Sequence, residues 1–243
     1  MNTASLPPSN PRTNELLAAM PAEAWARLQP QLEPITVRHG EVLCQSSMPA
    51  THVVFPTTAI VSLLHTTREG ASAEIAVVGC DGVVGISLFM GGNFMTSEAV
   101  VSSAGDAWRL NAHAAMAEFA LAGPVQNIVL RYTQSLIEHV SQLAACNRHH
   151  SIAQQLSGRL LRGLDRSASD ELFMTQEMLA NLLGVRREGV TAAAVKLQHA
   201  GVIRYRRGRI DVLDRERLEQ HACECYAATR KTHDRLMPAM AAL

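Results

Sequence analysis

The punctuation of this sequence constrains its fold most. Gly and Pro recur at short intervals as far as Gly123-Pro124, and then neither occurs again until Gly158. A chain that turns so often cannot build long helices, and one that stops turning reads as a long helix. Before the boundary, short β-branched or apolar runs fill residues 35–37, 42–43, 52–55, 59–64, 73–78, 99–101 and 107–110. Gly40, Pro49, Pro56, Gly70, Gly79, Gly82, Gly91-Gly92 and Gly105 separate them. Many short strands with regular turn signals predict a β-barrel or sandwich. Residues 1–14, rich in Pro, Ser, Asn and Thr, read as a flexible tail. A helix broken near Pro21 is expected before the strands, and Asn111 is placed to cap another after them.

Past the boundary, Pro124 suits a first helical turn, where its missing N–H is no loss. Val125, Val129, Tyr132, Leu136, Val140 and Leu143 then recur at steps of 4, 3, 4, 4 and 3. So narrow a stripe predicts a dimerisation helix over 124–147, with its seam facing a second copy. The alternative is an ordinary helix lying on the chain's own β-domain. In 148–243, Ile152, Leu156, Leu160 and Leu161 give one amphipathic face, and 165–170 is a polar loop. Thr175 caps a helix that Gly184 stops, and a third helix runs from Arg186 to about Ala200. Residues 202–205 and 210–213 are strands around Arg206-Arg207-Gly208-Arg209, and Asp214 caps a final helix.

The formal net charge of zero hides a division. Residues 1–130 carry 5 basic and 10 acidic side chains, and residues 131–243 carry 17 and 12. Within 185–210, seven Arg or Lys face one acid, Glu188, which is dense enough for a surface that meets phosphates.

That cluster coincides with Thr175-Gln176-Glu177-Met178-Leu179-Ala180-Asn181-Leu182-Leu183-Gly184-Val185 and then Arg186-Arg187-Glu188-Gly189-Val190-Thr191. Two short helices joined by a Gly-containing turn, the second opening on basic residues, form a helix-turn-helix. Ala180 is small where the helices cross, and Val185, Val190, Val195 and Leu197 can supply the inner face of the second. Residues 148–217 resemble the winged helix-turn-helix of the Crp/Fnr family of bacterial transcription regulators. The match is carried by residues 175–184, Arg187-Glu188-x-Val190, Leu197, Gly201-Val202-Ile203 and Gly208-Arg209-Ile210. The preceding half resembles the family's sensor domain less specifically, by strand rhythm, by Arg38-His39-Gly40-Glu41 and by Gly79-Cys80-Asp81-Gly82-Val83-Val84-Gly85.

The resemblance implies an α+β chain. Its parts are an N-terminal double-stranded β-helix (a jelly roll of the cyclic-nucleotide-binding type) over 15–123, the dimerisation helix, and a winged helix-turn-helix over 148–243. It implies double-stranded DNA, a second copy and RNA polymerase as partners; no window nears about 18 uninterrupted apolar residues, so no membrane is expected. Arg187 and Glu188 would read a G·C pair, because Arg suits G O6/N7 and Glu accepts from C N4. Ala192 is a further base-reading position, offering only a methyl. Thr175, Gln176, Arg186, Lys196, Arg206, Arg207 and Arg209 would contact phosphates and set register.

The family's cyclic-nucleotide branch holds its ligand with a Gly-Glu-x-Gly loop and an Arg-Ser/Thr clamp on the phosphate. Here Val83 stands for that Glu, and Met95-Thr96 fall at the clamp. A buried phosphate needs a charged donor, so the sequence argues against cAMP. Gly82, Gly85, Met95 and Thr96 are left as candidates for a different effector pocket, beside an apolar run that includes Ile86, Leu88 and Phe89. The five cysteines, Cys44, Cys80, Cys146, Cys223 and Cys225, are odd in number and contain no CxxC. They read as scattered thiols, with no disulfide framework, structural zinc or iron–sulfur cluster. Cys223 and Cys225, two apart on a helix, should point to different faces. Ten histidines identify no haem ligand, and His149-His150, at the hinge into the last domain, read as surface residues before a pH or metal sensor. The expectation is no cofactor and no metal.

The N-terminus lacks the basic and apolar regions of a signal peptide, and a cytoplasmic location is expected. No GxSxG, P-loop or HExxH motif supports an enzyme. A ligand-sensing module acting through a protein partner is the rival to a DNA-binding regulator, but such a module has no need of the basic helix and wing. The sensor and DNA domains of such a regulator are expected to couple through the long helix and residues 148–156.

Overall fold

A computed structural model of the protein describes residues 9–92, 94–167 and 171–237. After a turn of 3-10 helix at Pro11–Thr13 come α1 (Glu15–Ala18), α2 (Ala22–Leu28), β1 (Glu33–Val37), β2 (Val42–Cys44), β3 (His52–Pro56), β4 (Ile60–Thr66), β5 (Ser72–Val78), β6 (Glu98–Ser103) and β7 (Gly105–Asn111). A second group is helical: α3 (Ala112–Ala120), α4 (Pro124–His149) and α5 (Ile152–Leu164). The chain then continues through β8 (Glu171–Phe173), α6 (Gln176–Leu183), α7 (Arg187–His199), β9 (Ile203–Arg206), β10 (Arg209–Val212), α8 (Arg215–His221) and α9 (Glu224–Leu236). This is the expected α+β order of β-roll, long helix and winged helix-turn-helix.

The roll consists of two antiparallel sheets, ordered β1-β7-β3 and β2-β6-β4-β5. Val37, Val54, Val61, Val78, Val101 and Ala107 fill the space between them. The N-terminal segment is not a loose tail from residue 9 onward. Asn14 is wholly buried and caps α1 by accepting from the N–H groups of Leu16 and Leu17. Its Nδ2 donates to the carbonyls of Pro56 and Gly82, at 2.9 and 2.8 Å. Trp108 Nε1 donates to the Ser9 carbonyl, and the Arg12 guanidinium lies over the Trp25 ring. A buried amide with all these partners anchors its segment. Residues 1–8 of the expected tail lie outside the described residues.

The long helix corrects the expected seam. Val125, Val129 and Tyr132 are buried in the chain's own core with Leu16, Leu17, Leu28, Phe55 and Val83. Leu136 and Val140 pack against the roll beside them, and Leu143 is half-buried. A narrow apolar stripe serves a small domain as well as it serves a partner helix, so spacing alone does not separate the two. A flanking face of α4, about 100° round from that stripe, carries Leu130 and Ile137, 50% and 56% exposed, and exposed Ala144, at intervals of seven residues.

α5 opens with a capping box, Ser151 accepting from the N–H of Gln154 while Gln154 accepts from that of Ser151. From Gln155 to Leu164 every residue is buried, not the single face its pattern suggested. The reason is position: one side packs into the last domain with Leu179, Val190 and Leu197, and the other lies against the roll. α9 then runs back along α4, with Tyr226 in the core of the last domain and Met237 packed on the roll's cluster.

Candidate nucleic-acid interface and the junction behind it

Local chemistry sets the helix-turn-helix. The Thr175 side chain caps α6 by accepting from the Met178 N–H at 3.1 Å. Gly184 closes α6 with φ 64°, a left-handed conformation that costs glycine little. α7 buries Val190, Ala193, Ala194 and Leu197, which follow the helical repeat. Val195 was expected on that inner face but is 40% exposed, because five residues beyond Val190 the helix has turned away. Arg187, Glu188, Ala192 and Lys196 lie exposed on the outer side, with Arg186 just before them.

The wing is a three-stranded sheet, β8-β10-β9. Strand β8 is absent from the sequence reading, since three residues carry too little pattern. Arg207 and Gly208 form the hairpin turn with φ of 49° and 82°, both positive as a tight two-residue hairpin turn requires. The wing is pinned to the start of α6: Tyr205 Oη donates to the Met174 carbonyl, and the Met174 N–H donates to the Gly208 carbonyl, both at 2.8 Å. A concavity of about 270 Å³ results, lined by Thr175, Gln176, Arg187, Gln198, Tyr205, Arg207 and Gly208. Three of the expected phosphate contacts and one base reader thus share a single slot. Arg206 and Arg207 are exposed and, with Arg186, Arg187 and Lys196, make no ion pair among the described residues. Arg209 differs: it pairs with Glu171 and stacks on Phe173, so part of its hydrogen-bonding capacity is used within the sheet.

The candidate effector residues differ in their surroundings. A Cβ at Gly82 would collide with Tyr132 Oη, so α4 fills that space. Gly85 takes φ 101° beside Val53, Met95 is buried and accepts from Ser87 Oγ, and Thr96 is exposed. A cavity of about 630 Å³ lies elsewhere, between the roll, α4, α5 and α9. Asp81, Tyr132, His139, Arg162, Arg166 and His233 line it.

Two arginine–carboxylate pairs cross this junction among the described residues. Arg159 meets Glu74 at 2.7 Å, with side chains 1% and 4% exposed, and Ser62 Oγ donates to the same carboxylate at 2.6 Å. Arg166 Nε donates to Asp81 Oδ1 at 2.9 Å. Burial alone would raise Asp81, but the Arg166 charge and hydrogen bonds hold it below the ordinary carboxylate range. Burial, with Arg162 and Arg166 nearby, pushes His139 down to about 3, so it is neutral. Gly184 meanwhile sits against Ala73 of β5, so the turn of the helix-turn-helix touches the roll directly. The two domains are therefore in contact through α5 and the 73–82 segment, in addition to the 148–156 hinge named from sequence.

Comparison with known proteins agrees with this architecture. Residues 34–120 match the cyclic nucleotide-binding domain family, and residues 154–221 match the Crp-like helix-turn-helix domain family. The chain belongs to the Crp/Fnr family. Among solved structures, one described as a Crp/Fnr transcriptional regulator from Eubacterium rectale superposes with a TM-score of 0.67 at 20% identity, covering 84% of this chain and 96% of that one. FixK2 from Bradyrhizobium japonicum gives 0.66 at 16% identity, covering 79% and 98%. A Crp-family regulator from Thermus thermophilus gives 0.65 at 17%, covering 77% and 96%. At these identities the likeness is one of fold. No curated protein sequence matches the chain. Among the described residues, no helix is long and apolar enough to cross a membrane.

This Crp/Fnr chain departs from expectation at its thiols. They are not all scattered, and the expectation of no metal or cofactor site is overturned. Cys146, His150, Cys223 and Cys225 bring their ligand atoms within 4.8 Å of one another. Cys146 and His150 are one turn apart at the end of α4, and Cys223 and Cys225 open α9. The two-residue argument fails because Cys223 is the N-cap, with φ −84° and ψ 167°, and is off the helix. Its extended backbone turns it inward beside Cys225 rather than to another face. Sequence held one clue, the i, i+4 spacing of Cys146 and His150, but the other pair lies 77 residues away from Cys146. Exposed His149 takes no part.

Proposed function

We propose that this Crp/Fnr chain is a homodimeric, sequence-specific DNA-binding transcription regulator. The observation that carries it is the exposed first turn of α7, where Arg187 and Glu188 sit beside Arg186, Arg206 and Arg207, all without an internal ion pair among the described residues. A recognition helix lies in the major groove with its N-terminal residues on base edges, and flanking guanidinium groups meet phosphates. Leu130, Ile137 and Ala144 form the face of α4 that would meet a second copy, which supports binding to two half-sites about one helical turn apart. The sensor domain does not hold cAMP through the family's phosphate clamp. Met95-Thr96 supply no guanidinium at the clamp, and Tyr132 occupies the space beside Gly82.

Selection of bound fragments from random duplexes tests this reading. It should return a two-fold symmetric site whose affinity falls steeply with salt. Arg187→Ala should cost about 1–3 kcal/mol and relax preference at one base pair per half-site. Equal binding to all duplexes at every salt concentration overturns the reading.

A further inference from the structure

We propose that Cys146, His150, Cys223 and Cys225 bind a single thiophilic divalent ion, zinc in the first instance, which ties the end of α4 to the start of α9. Three thiols and one imidazole are a recurrent donor set of closed structural zinc sites. The geometry is close to what such an ion needs. With bonds of about 2.3 Å to sulfur and 2.0–2.1 Å to nitrogen, a tetrahedral site has S···S edges of about 3.8 Å and S···N edges of about 3.6 Å. Cys146 Sγ and Cys223 Sγ are 3.5 Å apart, and Cys225 Sγ is 3.5 Å from His150 Nδ1. No pair in the set is farther apart than 4.8 Å, so all four atoms can reach one centre by small side-chain rotations. Cys146, Cys223 and Cys225 are buried, which limits competition from water.

The surroundings are those of a ligand set. His150 Nε2 lies 3.2 Å from Glu224 Oε1, between the two cysteines in sequence. A proton held on Nε2 by that carboxylate leaves the Nδ1 lone pair facing the thiols, the tautomer a metal requires. Gln142 Nε2 donates to Cys225 Sγ at 3.1 Å, a contact that orients this sulfur within the cluster. On binding, the three thiols release their protons to solvent and four bonds to the ion form, with no change of oxidation state. This inference is independent of DNA binding.

Metal analysis of the full chain purified under reducing conditions should find one zinc per chain. Titration of Co²⁺ into chelator-treated protein should give thiolate-to-cobalt charge transfer and the intense d–d bands of a tetrahedral ion, saturating at one equivalent. Cys223→Ser and Cys225→Ser should each weaken binding at least tenfold. Glu224→Gln should keep the tetrahedral spectrum and weaken affinity about 10–100-fold, as loss of an orienting partner does. The wild-type cobalt titration needs no variant to fold. Natively folded, reduced protein that gives no thiolate–cobalt band overturns the proposal. So does a multi-iron chromophore on these cysteines, or a Cys146–Cys223 disulfide as the only chemistry of the cluster.

Discussion

Glu74 and Arg159 place opposite charges in the driest part of the junction, and their value depends on both being present. Taking two ions out of water costs several kcal/mol each, and a good ion pair does little more than offset that. Removing one partner leaves the other charge buried alone. Glu74→Ala should therefore destabilise the protein by about 3–5 kcal/mol, whereas the double variant Glu74→Leu/Arg159→Met should lie near the wild type. Urea denaturation of the three proteins checks this. His139 makes a second residue-scale prediction. Arg159, Arg162 and Arg166 face it, with Asp81 the nearby acid, and its pKa is pushed down to about 3. Above the ordinary histidine value of about 6.5 the ring is neutral both folded and unfolded, so it costs nothing there. Below that value the unfolded chain takes up a proton that the native state refuses. Stability should fall as pH drops from about 6.5 towards 3, by up to about 1.4 kcal/mol per pH unit from this group. Melts of wild type and His139→Leu at several pH values should show the gap between them shifting in the variant's favour as the solution is acidified. A gap independent of pH contradicts the assignment.

At the scale of elements, α4 offers two faces to two kinds of neighbour. If the exposed face forms the seam, Leu130→Glu combined with Ile137→Glu should give a folded monomer in sedimentation, with weakened operator binding. Tyr132→Glu should instead unfold the roll, because that side chain is in the roll's own core. The same helix shows what the sequence could convey. Thr175, Gly184 and the Arg207-Gly208 turn act on their immediate neighbours, so the helix-turn-helix and hairpin were legible residue by residue. The roll was legible from strand rhythm, since alternating turns and short apolar runs have few other solutions. The face of α4 was not, because a stripe records that something apolar is met without saying what. Burial of α5 on all sides was hidden for a related reason: Arg159 and Arg162 are charged, and only the fold brings Glu74 and the cavity to them. The thiol cluster was out of reach because its two halves meet only once α9 has folded back.

For the whole molecule, that return of α9 matters more than its length suggests. One helix places Tyr226 in the core of the DNA-binding domain, Met237 against the core of the roll and Cys225 on the end of α4. His233, near its end, lies 3.6 Å from Glu15 of α1. Two domains joined only by a hinge melt separately, each with its own heat. Domains that share a helix in this way cannot, since opening either one strips apolar cover from the other. Calorimetry of the intact chain should therefore show one transition, with calorimetric and van't Hoff enthalpies that agree. A chain ending at Ala222 keeps the α5 contacts to the roll, so it should melt at lower temperature with a van't Hoff enthalpy below the calorimetric one. The C-terminal helix, together with α5, makes the regulator a single cooperative unit, so a disturbance in either domain is felt by the other as a change in its own stability.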